Sequence, residues 1–258
     1  MANPLFGTRS LQDDNYYTTE VTYRTPAPKD QSLVPISRRP GAKLVADEHR
    51  EKRIALKGWV KGSSASDLQS KVDDLQQDLH KKDQTLVVET GRSYTATLAS
   101  LVIPDVHYNQ TIVPFEAEFV CASPFATGTS QSATFATPSG MAEVEKTITI
   151  SGTVFAVPTI AYTAPGTAGN TTTSGITIRN VTRGERVTWS GAADDQTLDY
   201  GATVTFNYDT YKVLLGSAVV DHTGKFSRFE PGDNNIIISF SGHCMGGSAT
   251  VTYSPRYY

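Results

Sequence analysis

Apolar and polar positions along this chain follow two periods. Through residues 67–82 the period is helical. Leu68, Val72, Leu75 and Leu79 recur at i, i+4, i+7 and i+11 and so share one stripe, with Gln, Asp and Lys filling the opposite side. The spacing predicts a helix from Asp67 to about Lys82. Ser63, Ser64 and Ser66 stand before it, and a serine oxygen can accept a free N–H of a first helical turn. Ser64-x-x-Asp67 is close to a capping box, with Asp where Glu is preferred. Asp67, Asp73 and Asp74 come early and Lys81 and Lys82 late, an order that suits the helix dipole. The stripe is that of a helix covering a sheet, and the pattern lasts barely two heptads, too short for a coiled coil.

Elsewhere the period is two, the signature of strands. Before the helix, Arg53–Lys61 alternates in part, with Ile54 and Leu56 on one face. After it, Thr85–Glu89 and Tyr94–Leu101 flank the turn Thr90-Gly91-Arg92-Ser93 and form a hairpin. In Thr111–Cys121, Phe115, Ala117, Phe119 and Cys121 share a face, and Pro114 belongs at the strand's start or at an edge. Gly58-x-x-x-Gly62 is assigned to turn chemistry at a strand end. From Ala126 to Ala133 the residues are small and polar, as in a linker or crossing loop.

Beyond that point no helical period returns. Short strands recur at Thr147–Ile150, Val154–Tyr162, Gly175–Val181, Glu185–Trp189, Ala202–Tyr208, Lys212–Leu215, Asn235–Phe240 and Ala249–Tyr253. Turn residues separate them, including Ala164-Pro165-Gly166, Gly169-Asn170 and Pro231-Gly232-Asp233-Asn234. Strands so short and so evenly spaced predict a β-sandwich, with Ile176, Ile178, Val187, Trp189, Val204 and Phe206 in its core. The first fifty residues carry Pro4, Pro26, Pro28, Pro35 and Pro40 and only short strand-like pieces such as Glu20–Tyr23. They are expected to be an arm without its own core, packing on the next domain or along another subunit, or staying mobile. The division is therefore 1–50, 51–125 and 126–258, in a mainly β protein with one helix.

Composition narrows the function classes. The formal net charge of the 258 residues is -3, which gives no basic surface for nucleic acid. The opening MANPLFGTRS lacks the apolar run of a secretory signal, and no stretch approaches a membrane span. The expected product is soluble and made in a cytoplasm, where Cys121 and Cys244 would stay reduced thiols, a single bridge being the alternative.

Candidate chemistry is sparse. His49, His80, His107, His222 and His243 have no partners at metal-ligand spacing, and there is no CxxC. His243 and Cys244 are adjacent, so on a strand they point to opposite faces and not at one substrate. No G-x-S-x-G, P-loop or dinucleotide fingerprint occurs. Asp194, Asp195 and Asp199 could serve a glycosidase or hold calcium, but loop aspartates of this kind are usually solvated turns. The sequons Asn170-Thr171-Thr172 and Asn180-Val181-Thr182 carry no meaning without a secretory signal. Tyr200, Tyr208, Tyr211, Tyr253, Tyr257 and Tyr258, with Trp189, could build a platform for sugars or a protein partner, with Tyr200, Tyr208 and Tyr211 foremost. No catalytic, cofactor-binding or metal residue is assigned.

The order of elements carries a resemblance. Ile54-Ala55-Leu56-Lys57-Gly58 is followed by a Gly-Ser cap, then Asp67-Leu68, Val72-Asp73, Leu75 and Leu79, then Leu86-Val87-Val88, Gly91-Arg92-Ser93-Tyr94 and Phe119 to Phe125. This series resembles the N-terminal domain of siphophage distal tail proteins. Near the end, Phe226 to Ile236 looks like that family's "PG-x-N" turn before a late strand. The resemblance is good over residues 50–125, loose over the last 40, and departs at the proline-rich arm.

The resemblance implies a tail-tube-like N-terminal β-sandwich or split barrel with one flanking helix, and a galectin-like C-terminal β-sandwich. It implies a homo-oligomer, usually a hexameric ring, at the distal end of a virion tail. The ring would join the tail tube protein to the tail hub or tail-tip protein, with the tape measure protein as neighbour, and DNA would pass without specific binding. No cofactor is implied. The alternatives are a carbohydrate-binding module that attaches to host surface glycans and another tail-tube or ring protein.

Overall fold

The chain divides into one unit of residues 1–128 with 257–258 and a second of residues 129–256. The computed structural model describes residues 3–36, 40–105, 109–165, 173–191, 198–242 and 246–258. It is mainly β, with one α-helix among the described residues, and that helix is not long and apolar enough to cross a membrane.

The first unit carries β1 (Leu5–Phe6), β2 (Arg9–Ser10), β3 (Tyr16–Thr22), β4 (Lys29–Pro35), β5 (Ala42–His49) and β6 (Lys52–Lys61). Then follow α1 (Ala65–Leu79), β7 (Gln84–Glu89), β8 (Arg92–Val102), β9 (Ile112–Cys121) and β10 (Ala126–Gly128). One antiparallel sheet runs β2-β1-β7-β8-β9-β6-β3, with β10 on the start of β8. Alternation along β6 and β9 puts Ile54, Leu56, Val60, Phe115, Ala117 and Phe119 inside. The α1 stripe of Leu68, Val72, Leu75 and Leu79 is buried in the same core. The β8 ladder on β9 stops at Val102 opposite Glu116, so Pro114 lies where only β6 is in register and its missing N–H costs no pairing on the other side.

The cap of α1 differs in detail from a capping box. Ser64 Oγ accepts the Asp67 N–H at 3.1 Å, but the Asp67 carboxylate reaches one residue further back, to the N–H (2.6 Å) and hydroxyl (2.9 Å) of Ser63. The helix stops at Leu79, short of Lys82, and Lys81 folds back onto Asp78 at 2.6 Å. Gly58 is not at a turn. It lies inside β6, where a Cβ would fall on the Tyr17 carbonyl and the Phe115 ring. A Cβ at Gly62 would likewise collide with Leu68, so this glycine lets the strand turn tightly into the helix.

The N-terminal region departs from an arm. Residues 5–22 supply β1, β2 and β3 to the sheet, and Phe6, Leu11 and Tyr16 are buried. The Phe6 ring lies 4.9 Å from that of Phe119. Two-residue strands are too short to display a period, which is why the pattern hid them. β4 and β5 form a separate two-stranded ribbon, with every residue of β4 exposed.

The second unit holds β11 (Gln131–Ala136), β12 (Glu143–Ile150), β13 (Thr159–Thr163), β14 (Thr173–Asn180), β15 (Glu185–Ser190) and β16 (Thr203–Asn207). Next come β17 (Lys212–Leu215), β18 (Ala218–Val220), β19 (His222–Gly224), β20 (Gly232–Gly242) and β21 (Ser248–Tyr253). One antiparallel sheet runs β11-β21-β13-β16-β17-β18 and the other β12-β20-β14-β15-β19. Ile160, Tyr162, Val204, Phe206 and Val251 of the first meet Ile176, Ile178, Val187, Trp189, Ile236 and Ile238 of the second in one core, the arrangement of a β-sandwich.

The segment 126–133 is not a linker: it enters β10 and β11, and β11 pairs with β21 along its whole length. An edge strand half open to water tolerates small polar residues, so composition misled. Val154–Tyr162 is not one strand either. Val154 and Ala156 make isolated bridges, and Pro158, which lacks an N–H, separates them from β13. Asn234 is fully buried and fastens the Pro231-Gly232 turn. Its amide donates to the carbonyls of Glu230 (2.7 Å) and Gly232 (3.1 Å) and accepts the Glu230 N–H (3.0 Å).

Candidate functional site

The second unit contains a cleft of about 610 Å³ walled by aromatic and cationic side chains. Its first wall comes from the β16–β17 turn. Asn207 ends β16, and its Oδ1 accepts the N–H groups of Asp209 and Thr210, both at 3.0 Å. The turn so tied leaves Tyr211 in left-handed backbone, φ 55°, with 62% of the residue exposed. That backbone region disfavours a side chain with a Cβ, at a cost of about 1–2 kcal/mol.

The floor comes from the stretch after β19. The Lys225 N–H donates to the Arg186 carbonyl at 2.7 Å, Ala156 and Phe229 exchange backbone hydrogen bonds at 2.8 and 3.0 Å, and Asn180 Nδ2 donates to Ser227 Oγ at 3.0 Å. This stretch is therefore fixed, and it holds Phe226 at the centre of an aromatic group. Edge-on to Phe226 stand Tyr208 at 5.0 Å, His222 at 5.1 Å and Tyr211 at 5.9 Å. Tyr208 itself is buried, and that burial pushes its phenol well above the ordinary range.

The other wall is cationic. Arg228 lies over the Phe155 ring at 4.2 Å and Arg256 lies by the same ring at 5.8 Å. Arg183, Lys225, Arg228 and Arg256 face only two carboxylates in the lining, Glu185 and Asp209. Lys225 and Arg183 both pair with Glu185, and Arg183 also pairs with Glu230 outside the lining. The hydrogen bond from Lys225 lowers the Glu185 carboxyl below its usual range. Arg256 stands 3.8 Å from Asp209. Arg228 has no carboxylate within pairing distance among the described residues.

Of the tyrosines singled out in the sequence, Tyr208 and Tyr211 meet here, and only Tyr211 offers its ring to solvent. Tyr200 does not line the cleft. Trp189 and Tyr253 are buried in the sandwich core and so offer no exposed platform, and Tyr257 and Tyr258 belong to the first unit. Phe155, Phe226, Arg228 and Arg256 were not legible: the first three are loop residues and Arg256 opens a two-residue strand, so none of them shows a period.

Asp194, Asp195, His107, His243, Cys244 and the sequon at Asn170 lie outside the described residues, and Asp199 is exposed. Cys121 is a buried free cysteine. Among the described residues no group of three or more His, Cys, Asp or Glu side chains could hold a metal ion.

A second surface lies on the first unit. The β4–β5 ribbon exposes Leu33 (61%), Val34, Ile36, Leu44 and Val45 (62%). Leu33 and Leu44 are opposite one another, and the register slips between Ser32 and Leu33. A two-stranded ribbon is marginal in water on its own, so apolar side chains in one call for cover.

No protein-family model and no curated protein matches the sequence. Solved structures do. The SPP1 Dit (gp 19.1) protein, described as a paradigm of the hub adsorption apparatus in phages that infect Gram-positive bacteria, has a TM-score of 0.75 at 12% identity, over 99% of each chain. A chain of the phage p2 baseplate in its activated conformation with Sr has a TM-score of 0.47 at 8% identity, covering 95% of this chain and 92% of that one. The likeness to the SPP1 protein spans both units, so the order of sheets and helix described above is shared from end to end.

Proposed function

We propose that this chain is a structural distal tail protein of a long-tailed phage, forming a ring that joins the tail tube to the tail-tip hub. The single observation that carries this reading is the fold shared with SPP1 Dit over 99% of both chains. Sequence identity of 12% carries none of it. The role is one of assembly and not catalysis.

The first unit supplies the features a ring needs. Its sheet path ends at β2 and β3, which have no further paired strand among the described residues. Open edges are covered when copies of one chain close around an axis. The apolar β4–β5 ribbon is suited to lie against a neighbouring copy. Six copies form the ring in this reading, with the tail tube protein on one side, the tail hub protein on the other and the tape measure protein at the channel. A net charge of -3 lets DNA pass without adhering. The second unit is then a galectin-like sandwich carried by the ring.

Particle mass and negative-stain images of the purified chain test this. The expected species is a hexamer with a central hole. The double variant L33D/V45D is expected to reduce it to monomers that keep the parent's circular dichroism spectrum, because both side chains are already exposed in the single chain. A parent that stays monomeric at tens of micromolar would sink the proposal.

A further inference from the structure

We infer that the cleft of the second unit is a binding site for an anionic saccharide, a sugar carrying a carboxylate or a phosphate. This goes beyond the assembly role, which it neither requires nor weakens.

Three features converge on one cleft of about 610 Å³. The first is charge. The chain as a whole is acidic, yet here four cations face two carboxylates, and Arg228 has no carboxylate partner among the described residues. Packed on Phe155 at 4.2 Å, its guanidinium is held in place, so a forked pair of hydrogen bonds to an anion costs little ordering. The second is the aromatic shelf. The Tyr211 and Phe226 rings meet edge to face with centroids 5.9 Å apart, and the exposed Tyr211 ring can stack on the apolar face of a pyranose while its hydroxyl bonds a sugar oxygen. The third is backbone. Tyr211 is held at φ 55°, an unfavourable state for a tyrosine, by the two bonds to Asn207. Such strain collects where a side chain must be presented to a ligand.

A neutral sugar would leave Arg228 unanswered, and a bare anion would leave the shelf unused. A saccharide with one anionic group uses both. Nucleic acid is disfavoured by the net charge of -3.

The test uses the full chain and calorimetric titration with three probes: an oligogalacturonate, a glycosylated polyol-phosphate oligomer and a neutral oligoglucan of equal length. One or both anionic probes are expected to bind, and at least ten-fold more tightly than the neutral one, with affinity falling as salt rises. The two anionic arms separate carboxylate from phosphate as the source of charge. Arg228→Gln is expected to weaken the anionic probe at least ten-fold and to lessen the salt dependence. Tyr211→Gly is expected to weaken it too, while leaving the thermal midpoint unchanged or higher because the backbone strain is released. Equal binding of neutral and anionic probes, undiminished binding by Arg228→Gln, or no binding of any probe overturns the inference. Particle mass measured in parallel keeps that result separate from the ring proposal.

Discussion

At the scale of single residues the least obvious feature is a buried lysine. Lys52 begins β6 opposite Cys121, is 1% exposed, and its Nζ has no hydrogen-bond partner among the described residues. It lies 5.1 Å from the centre of the Tyr94 ring. Burial lowers the lysine's pKa, pushes the Cys121 thiol up to about 11 and the Tyr94 phenol up to about 12, so each is driven toward its neutral form. Below its lowered pKa the folded chain carries an ammonium that the unfolded chain would hydrate better. The unfolded chain therefore binds more protons between the lowered value and 10.5, and the penalty shrinks as pH rises through that window. Lys52→Met should raise stability at pH 7, by on the order of 1 kcal/mol, with the gain diminishing as pH rises toward 10.5. Denaturant melts at both pH values decide it; a loss of stability at neutral pH would mean that the ammonium has a partner. None of this was legible in the sequence, where a lysine at a strand start reads as solvated. The tyrosines teach the same lesson: Tyr208 and Tyr211 are three apart, and a turn buries one and exposes the other.

At the scale of elements, the long periodic segments were the legible ones. The α1 stripe and the alternation of β6, β9, β15 and β20 survive because many side chains vote for one face. What escaped was short, flat or small: β1 and β2 at two residues each, β11 with its Ser, Ala and Thr, and the β4–β5 ribbon, where exposed apolar residues break the alternation a sheet face would impose. The helix start offers a test. Ser64→Ala removes the acceptor of the Asp67 N–H and should cost about 0.5–2 kcal/mol. Asp67 carries a pH signature of its own. Bonds from the Ser63 backbone first, then from Lys71 and the Ser63 hydroxyl, hold its pKa at about 2, below the ordinary 3.8. Its contribution is thus present above about pH 4 and lost as pH falls toward 2. Acid melts of parent and Asp67→Asn should converge at pH 2 and diverge at pH 5. Parallel curves would place the effect elsewhere.

At the scale of the whole molecule, the first unit is closed by residues from beyond the second. Arg92 lies over the Tyr257 ring at 4.3 Å, and Tyr258 packs against His49 at 5.8 Å and Phe125 at 5.6 Å. Removing Tyr257 and Tyr258 should therefore loosen the first unit. Hydrogen exchange is expected to quicken in β8 and β10 and to stay unchanged in β14 and β20; equal change in both units would refute this. The same arrangement makes residues 129–256 an insertion, spliced into one host at two junctions, 128/129 and 256/257. Such a block can be exchanged by recombination while the host keeps every residue that closes it. If the ring and the saccharide cleft are divided between host and insert as proposed, a lineage can change what it recognises without relearning how to assemble.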